Sequence, residues 1–436
     1  MSNRLNSILV HKETLKYILV QNDARRLPRS VPRALQLPID IRKVITLVGI
    51  RRSGKTYLLY DTMRRLIEAG IDRRRLIYLN FEDDRILPIR TRQLDLILRA
   101  HEELYPDLAG QKKYLFFDEI QNAPGWETFV RRVDDTEDVQ IFLTGSSAHL
   151  LSREIATGLR GRSISFEVFP LSFPEYLRFR DIVHEPYSRR SEARLAAAST
   201  EYLTTGGLPE IVLADATLRP RILKEYVDLV FYKDLLERHR LSNPQALRQL
   251  LKYCLAQPAS LLNVHKLYND FPSQGMSLAK DTLYHYVRCL EESYLLFLLP
   301  IADRSVRKQA VNPKKMHTID WALGFPFAPE THVDIGRRLE TAVYLHARRE
   351  REDLAYVGLE REIDLVLGSE RPQALINVVL SLTKDASWQR EIDALQWAGQ
   401  RMPGARRMLV THERGGRAAP EGIQIVDAWQ YLLGGP

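Results

Sequence analysis

Gly49, Gly54, Lys55 and Thr56, within the stretch VITLVGIRRSGKTYLLY, keep the spacing G-x-x-x-x-G-K-[ST]. Glycines at those places let backbone N–H groups turn inward around a string of phosphates, and a helix beginning behind them adds partial positive charge. A lysine there reaches β- and γ-phosphates, and the neighbouring threonine hydroxyl suits a magnesium ion. The expected cradle for ATP is Gly49, Ile50, Arg51, Arg52, Ser53, Gly54, Lys55, Thr56 and Tyr57.

Such a cradle needs acids opposite it, and KKYLFFDEIQ supplies them. Asp118 is expected to share the Mg²⁺ with Thr56, and Glu119 to polarise the attacking water. In VQIFLTGSS, Thr144, Ser146 and Ser147 could sense the γ-phosphate or orient the water; as plain turn residues they would look the same. Arg160 and Arg162, just before SISFEVF, read either as a finger reaching a neighbouring subunit's nucleotide or as partners in a local surface ion pair.

The elements that must hold these residues are legible around them. VITLV is a β-branched run, as in a parallel strand buried on both faces. After it, YLLYDTMRRLIEA places Leu58, Leu59, Met63 and Leu66 on one helical face. Tyr114 to Phe117 form a second buried strand. Strand, glycine loop and helix is the setting the motif requires.

The 436 residues suggest roughly three domains, taking about 150 residues each. The net charge of +8 fits an anionic partner such as nucleic acid, or simply a solvated basic surface. Cys254 and Cys289 sit in apolar helical patterns and read as buried thiols in a reducing compartment. Charges interrupt the N-terminal apolar pattern, which therefore lacks the unbroken apolar core expected of a signal peptide. YLLFLLPIA at 294–302 is far short of the ~20 residues a membrane span needs, so a cytoplasmic protein is expected.

Beyond the core, three helical segments and a strand-like LLFLLPIA make a winged-helix pattern. In its third helix Leu283, Tyr286, Val287 and Leu290 should face inward, leaving Lys280, Tyr284, His285 and Arg288 outside. Arg304, Arg307, Lys308, Lys314 and Lys315 follow and suit phosphate contacts in DNA. The same pattern also serves as a lid or subunit contact, and a charge run is often only a wet face.

GIRRSGKT, YLNFEDD, FFDEIQNAPGWE, LTGSSAHLLSREIATGLRGR and FPLSFPEYL, in that order, resemble a large archaeal and bacterial family of AAA-type ATPases whose C-terminal domain is of unknown function. The likeness continues through YLTTGGLPE, YKDLLERHRL and NPKKMHTIDWALG. It implies an α/β fold: an AAA-like P-loop NTPase with a parallel sheet, a helical lid, a winged-helix domain and a C-terminal restriction-endonuclease-like domain. The boundaries expected are 1–37 for an N-terminal helix and basic linker, 38–178 for the core, 179–240 for the lid, 241–324 for the winged helix and 325–436 for the tail. GGLPE offers Glu210 where many AAA-type lids place an arginine, which leaves the lid sensor unassigned.

The tail resembles PD-(D/E)XK nucleases, which need two carboxylates for Mg²⁺ and a lysine. The matching positions are Glu340, Asp364, Asn377 and Val379. Asparagine and valine replace the second strand ligand and the lysine, so lost catalysis is expected, unless the cation has moved to Arg390. The whole reads as an Mg-dependent ATPase in an oligomeric, expected hexameric, ring that remodels or translocates DNA, with branched or Holliday-junction DNA as a candidate. A nucleotide-dependent switch with a protein partner, or an ATP-gated nuclease, are the alternatives.

Overall fold

A computed structural model describes residues 2–145, 158–159, 161–239, 241–271, 278–327, 334–358 and 360–434. They fall into two compact units, Met1–Val168 and Phe169–Pro436.

The first unit contains helices α1 (Ser2–Ala24), α2 (Lys55–Glu68), α3 (Leu96–Leu104) and α4 (Trp126–Thr136). Its strands are β1 (Val44–Val48), β2 (Leu76–Asn80), β3 (Lys113–Asp118), β4 (Val139–Gly145) and β5 (Ser163–Glu167). They form one sheet in the order β2-β3-β4-β1-β5, all parallel. Every residue of β1 and β3 is buried, as their continuous apolar runs require. Leu58, Leu59, Met63 and Leu66 of α2 pack into the same core as Ile45, Leu47, Phe116 and Phe142. Parallel strands end on one edge, so the chemistry carried by the residues after β1, β3 and β4 converges there. Helix α1 packs on α3 and β2 of its own unit. Its Leu15, Ile18 and Leu19 are buried, and Lys12 and Lys16 each lie 2.8 Å from Glu103.

The second unit opens with helices α5 (Phe173–Phe179), α6 (Arg189–Thr205), α7 (Pro209–Leu213) and α8 (Arg219–Leu229), the last continuing in wider π-helical turns over Val230–Glu237. Next come α9 (Pro244–Ala256), β6 (Ser260–Leu262), α10 (Val264–Asp270), α11 (Lys280–Glu292), β7 (Leu296–Leu299), α12 (Val306–Val311) and β8 (Lys314–Thr318). The three strands form an antiparallel sheet, β6-β8-β7. After a 3₁₀ segment, Trp321–Phe327, the chain runs through α13 (Ile335–Arg348), β9 (Leu354–Gly358), β10 (Glu362–Leu367), β11 (Ala374–Ser381), α14 (Asp385–Arg401), β12 (Arg406–Glu413), β13 (Ile423–Asp427) and α15 (Ala428–Leu432). Its sheet has the order β13-β12-β11-β10-β9, antiparallel from β9 to β11 and parallel from β11 to β13.

The first unit ends ten residues before the boundary expected at 178. Phe169 accounts for this, because its ring stacks on Phe297 with centroids 5.9 Å apart and lies 5.0 Å from the Arg349 guanidinium. The expected cut at 325 also runs through a continuous structure. Ile301 bridges Tyr356 of β9, with Ala302 N donating to Tyr356 O at 2.7 Å and Tyr356 N to Pro300 O at 3.0 Å. Both cysteines are buried free thiols, and burial pushes Cys254 up to about 12 and Cys289 up to about 11. No described helix is long and apolar enough to cross a membrane.

Candidate functional site

The glycine loop between β1 and α2 takes conformations that L side chains avoid. Gly49 has φ +145° and Gly54 φ +101°, and Arg52 between them sits at +59°. A Cβ on Gly49 would lie 2.5 Å from the Val168 carbonyl oxygen, so close packing against β5's exit also demands glycine. Lys55 opens α2. Its Nζ donates to the carbonyls of Gly49 and Ile50, both at 2.9 Å, which folds the side chain back over the loop. Ile50 and Ser53 are buried, Arg51 pairs with Glu82 at 3.0 Å, and Tyr57 is half exposed. Arg33, from the segment before β1, donates to Ser53 O at 2.8 Å.

Asp118, at the end of β3, is the hub. Its Oδ2 accepts from the Thr56 hydroxyl at 2.8 Å and from the Tyr78 hydroxyl at 3.0 Å, and its Oδ1 accepts from the Thr144 hydroxyl. Burial pushes this carboxyl above its ordinary range, and the three hydroxyls act against that rise. Glu119 adopts the left-handed region at φ 52°, ψ 46°, which costs a non-glycine residue roughly 1–3 kcal/mol. Its N–H donates to Thr144 Oγ at 2.9 Å, and its carboxylate accepts from Gln121 Nε2 at 2.5 Å. Thr144 thus ties the two acids together from β4. A Mg²⁺ ion suits this donor set: a hydroxyl oxygen and a carboxylate oxygen already adjacent.

Hydrogen bonds bring Thr56, Asp118, Glu119 and Thr144 together, and Lys55 precedes Thr56 at the start of α2. Ser146, Ser147 and Arg160 lie outside the described residues. Arg162 makes a local ion pair with Asp135 at 2.9 Å. Tyr78, Gln121 and Arg33 were missed by the sequence reading; the only signal was a tyrosine among the aliphatic Leu76, Ile77 and Leu79.

On α11, Leu283, Tyr286, Val287 and Leu290 are buried, while Lys280, Tyr284, His285 and Arg288 are exposed, as spacing predicts. Arg304, Arg307 and Lys308 are exposed around α12, with Lys308 paired to Asp303 at 3.1 Å, and Lys314 is half-buried. Lys315 corrects the sequence expectation of a phosphate contact. Successive strand residues face opposite ways, and β8 sends this side chain inward, leaving it 2% exposed.

The Lys315 ammonium lies 2.6 Å from Glu340 of α13 and 2.8 Å from both Glu362 and Asp364 of β10. Burial lowers its pKa, but Asp364, Glu340 and Glu362 outweigh that and hold it above the ordinary lysine range. Burial, then Asp364, pushes Glu340 well above the usual carboxylate range. Asp364 also accepts from Val378 N at 2.8 Å. Asn377 donates to Glu391 at 2.7 Å, and Glu391 pairs with Arg390 at 2.6 Å. Val379, two residues on in β11, packs partly buried against the sheet core. Arg390 is thus engaged with its neighbour, and the cation among the carboxylates comes from outside the expected tail.

The parallel sheet, glycine loop and Asp118 hub define the first unit as an AAA-type P-loop ATPase core. A family described as "AAA domain" matches residues 41–177, and one described as "Domain of unknown function (DUF8612)" matches residues 197–326. The chain belongs to the same family as the uncharacterized protein MJ1544 of Methanocaldococcus jannaschii, with 32% identity over 405 residues, spanning 91% of this chain and 88% of that protein. An uncharacterized protein of Haemophilus influenzae is 26% identical over 90% of this chain and 94% of its own length. Among solved structures, the Walker-type ATPase PABY2304 of Pyrococcus abyssi aligns at 15% identity and TM-score 0.43, over 65% of this chain and 90% of that one. The Thermotoga maritima RuvB Holliday junction branch migration motor aligns at 18% identity and TM-score 0.30, over 66% and 89%. Scores at that level add nothing about substrate or assembly.

Proposed function

We propose that this protein is a Mg²⁺-dependent ATPase that couples hydrolysis, in an oligomeric ring, to binding and remodelling or translocating DNA. The observation that carries the ATPase reading is Asp118, hydrogen-bonded at once to Thr56 of the glycine loop and to Thr144 beside Glu119. Thr56 and Asp118 would hold Mg²⁺, which would neutralise charge on the β- and γ-phosphates. Lys55 binds those phosphates, and Glu119, fixed by Thr144 and Gln121, orients and deprotonates water.

The DNA reading rests on residues 244–318. Helix, short strand, two helices and then two strands separated by the short α12 support a winged-helix reading, in which the third helix, α11, presents Lys280, Tyr284, His285 and Arg288 to solvent. Arg304, Arg307, Lys308 and Lys314 would meet phosphates beside it, and the net charge of +8 favours the same partner. The tail's helix–three strands–helix–two strands arrangement supports a nuclease-like fold without nuclease chemistry.

The test is ATP turnover with single-stranded, duplex and four-way-junction DNA, with particle mass measured alongside. DNA should raise turnover severalfold, and Lys55→Ala should abolish nucleotide binding. Turnover indifferent to every DNA would favour the nucleotide switch with a protein partner.

A further inference from the structure

Three carboxylates, two of them largely buried and the third, Glu362, at the solvent edge, converge on one point and call for a cation. Glu340 comes from a helix, and Glu362 and Asp364 stand at i and i+2 of β10, on one face of the strand. Side chains so arranged would ordinarily close around a divalent metal. Here the charge is supplied from β8, an element of a different sheet. Lys315 contacts all three acids within 2.8 Å and is nearly devoid of solvent. Asp364 has its second oxygen engaged by the Val378 amide, and Asn377, the neutral neighbour, is spent on Glu391 and on the backbone of Glu362 and Asp364. The residues do not fit a metal: the position it would take is filled by an ammonium.

We propose that Lys315 is a built-in cation which permanently occupies this carboxylate site, keeps divalent metal out of the tail, and fastens the three-stranded sheet to the five-stranded one. This carboxylate site is then metal-independent by construction. The lysine is a positioning residue, acting on where the tail sits and not on any bond in a substrate. The same joint is closed by the Ile301–Tyr356 bridge and by the Tyr356 hydroxyl donating to Pro313 O. This inference concerns a site apart from the nucleotide cradle and stands whether or not DNA is the partner.

The experiment uses the full chain without nucleotide. Wild type should bind Mn²⁺ no better than Asp364→Asn does, its melting temperature should respond to EDTA and Mn²⁺ no differently from that variant's, and it should not nick duplex DNA. Lys315→Met, which keeps an unbranched stem but no charge, should melt lower in EDTA. It should then gain about 5 °C or more in millimolar Mn²⁺ as metal enters the vacated place, a gain absent from Lys315→Met/Asp364→Asn. Either of two results overturns the proposal: wild-type Mn²⁺ binding or Mn²⁺-dependent nicking that Asp364→Asn removes, or a folded Lys315→Met with no new Mn²⁺ affinity. Should Lys315→Met unfold in every condition, the wild-type comparison decides.

Discussion

Thr144 is a small residue with two obligations. Its hydroxyl donates to Asp118 and accepts the N–H of Glu119, which itself sits in a costly left-handed conformation. Thr144→Val keeps the shape and removes both bonds, leaving the partly buried Glu119 N–H and an Asp118 oxygen without this partner. ATP affinity should change by less than about threefold while turnover drops by at least about tenfold, since Glu119 loses its fixed aim. Nucleotide binding and steady-state turnover on one preparation check this; an unchanged turnover would remove Thr144 from the machinery. At this scale the sequence spoke unevenly. Gly49, Lys55, Thr56 and Asp118 were legible because phosphate and metal chemistry tolerates few alternatives at fixed spacing. Tyr78 was not, because a hydroxyl on a core strand looks like any core tyrosine until the neighbouring strand brings a carboxylate to it. Lys315 was misread because a cation beside Lys314 looks like a phosphate grip, and only the pleat decides which of the two turns inward.

Among elements, the turn before α7 shows how the GGLPE stretch is used. Asp320, just after β8, accepts the Gly207 N–H at 2.7 Å and the Ala322 N–H at 2.9 Å. A Cβ on Gly206 would fall 2.5 Å from that carboxylate, and Gly206 takes φ +87° to let it in. Burial pushes Asp320 up to about 6, against the help of its amide partners. The folded chain therefore holds this proton more tightly than the unfolded chain does. The stability it contributes is full below the ordinary carboxylate range and is lost as pH climbs through about 6, amounting to about 3 kcal/mol. Asp320→Asn has no proton to lose. Its unfolding free energy relative to wild type should move in the variant's favour by about that amount between about pH 4 and pH 7 in denaturant titrations. A pH-independent difference would show the carboxylate to be as acidic folded as unfolded. The helix spacing of α11 was readable from Leu283 to Leu290, because one apolar stripe has one explanation. The joint at Asp320 was not, since its partners are backbone amides that carry no residue identity.

For the whole molecule, the proposed grip on DNA makes an electrostatic prediction. Each phosphate neutralised releases counterions, contributing about 0.9 to the slope of log affinity against log salt. Lys280→Ala/Arg288→Ala should flatten that slope by about 1.8 and weaken binding to all duplexes alike. Fluorescence anisotropy from about 50 to 200 mM salt measures it, and an unaltered slope would move the contact elsewhere.

The buried strands flanking the glycine loop in the first unit were legible from continuous apolar runs, while the order of its sheet was not. Nor was the tail's dependence on what precedes it, because both its cation and its edge partner come from residues before 325. Residues 300–302 already occupy the hydrogen-bonding side of β9. A fragment cut at 325 would bare that strand's amides and carbonyls together with a pocket of unbalanced acids. It would be drawn to pair with copies of itself, so the autonomous folding unit starts well upstream of where homology alone would cut it.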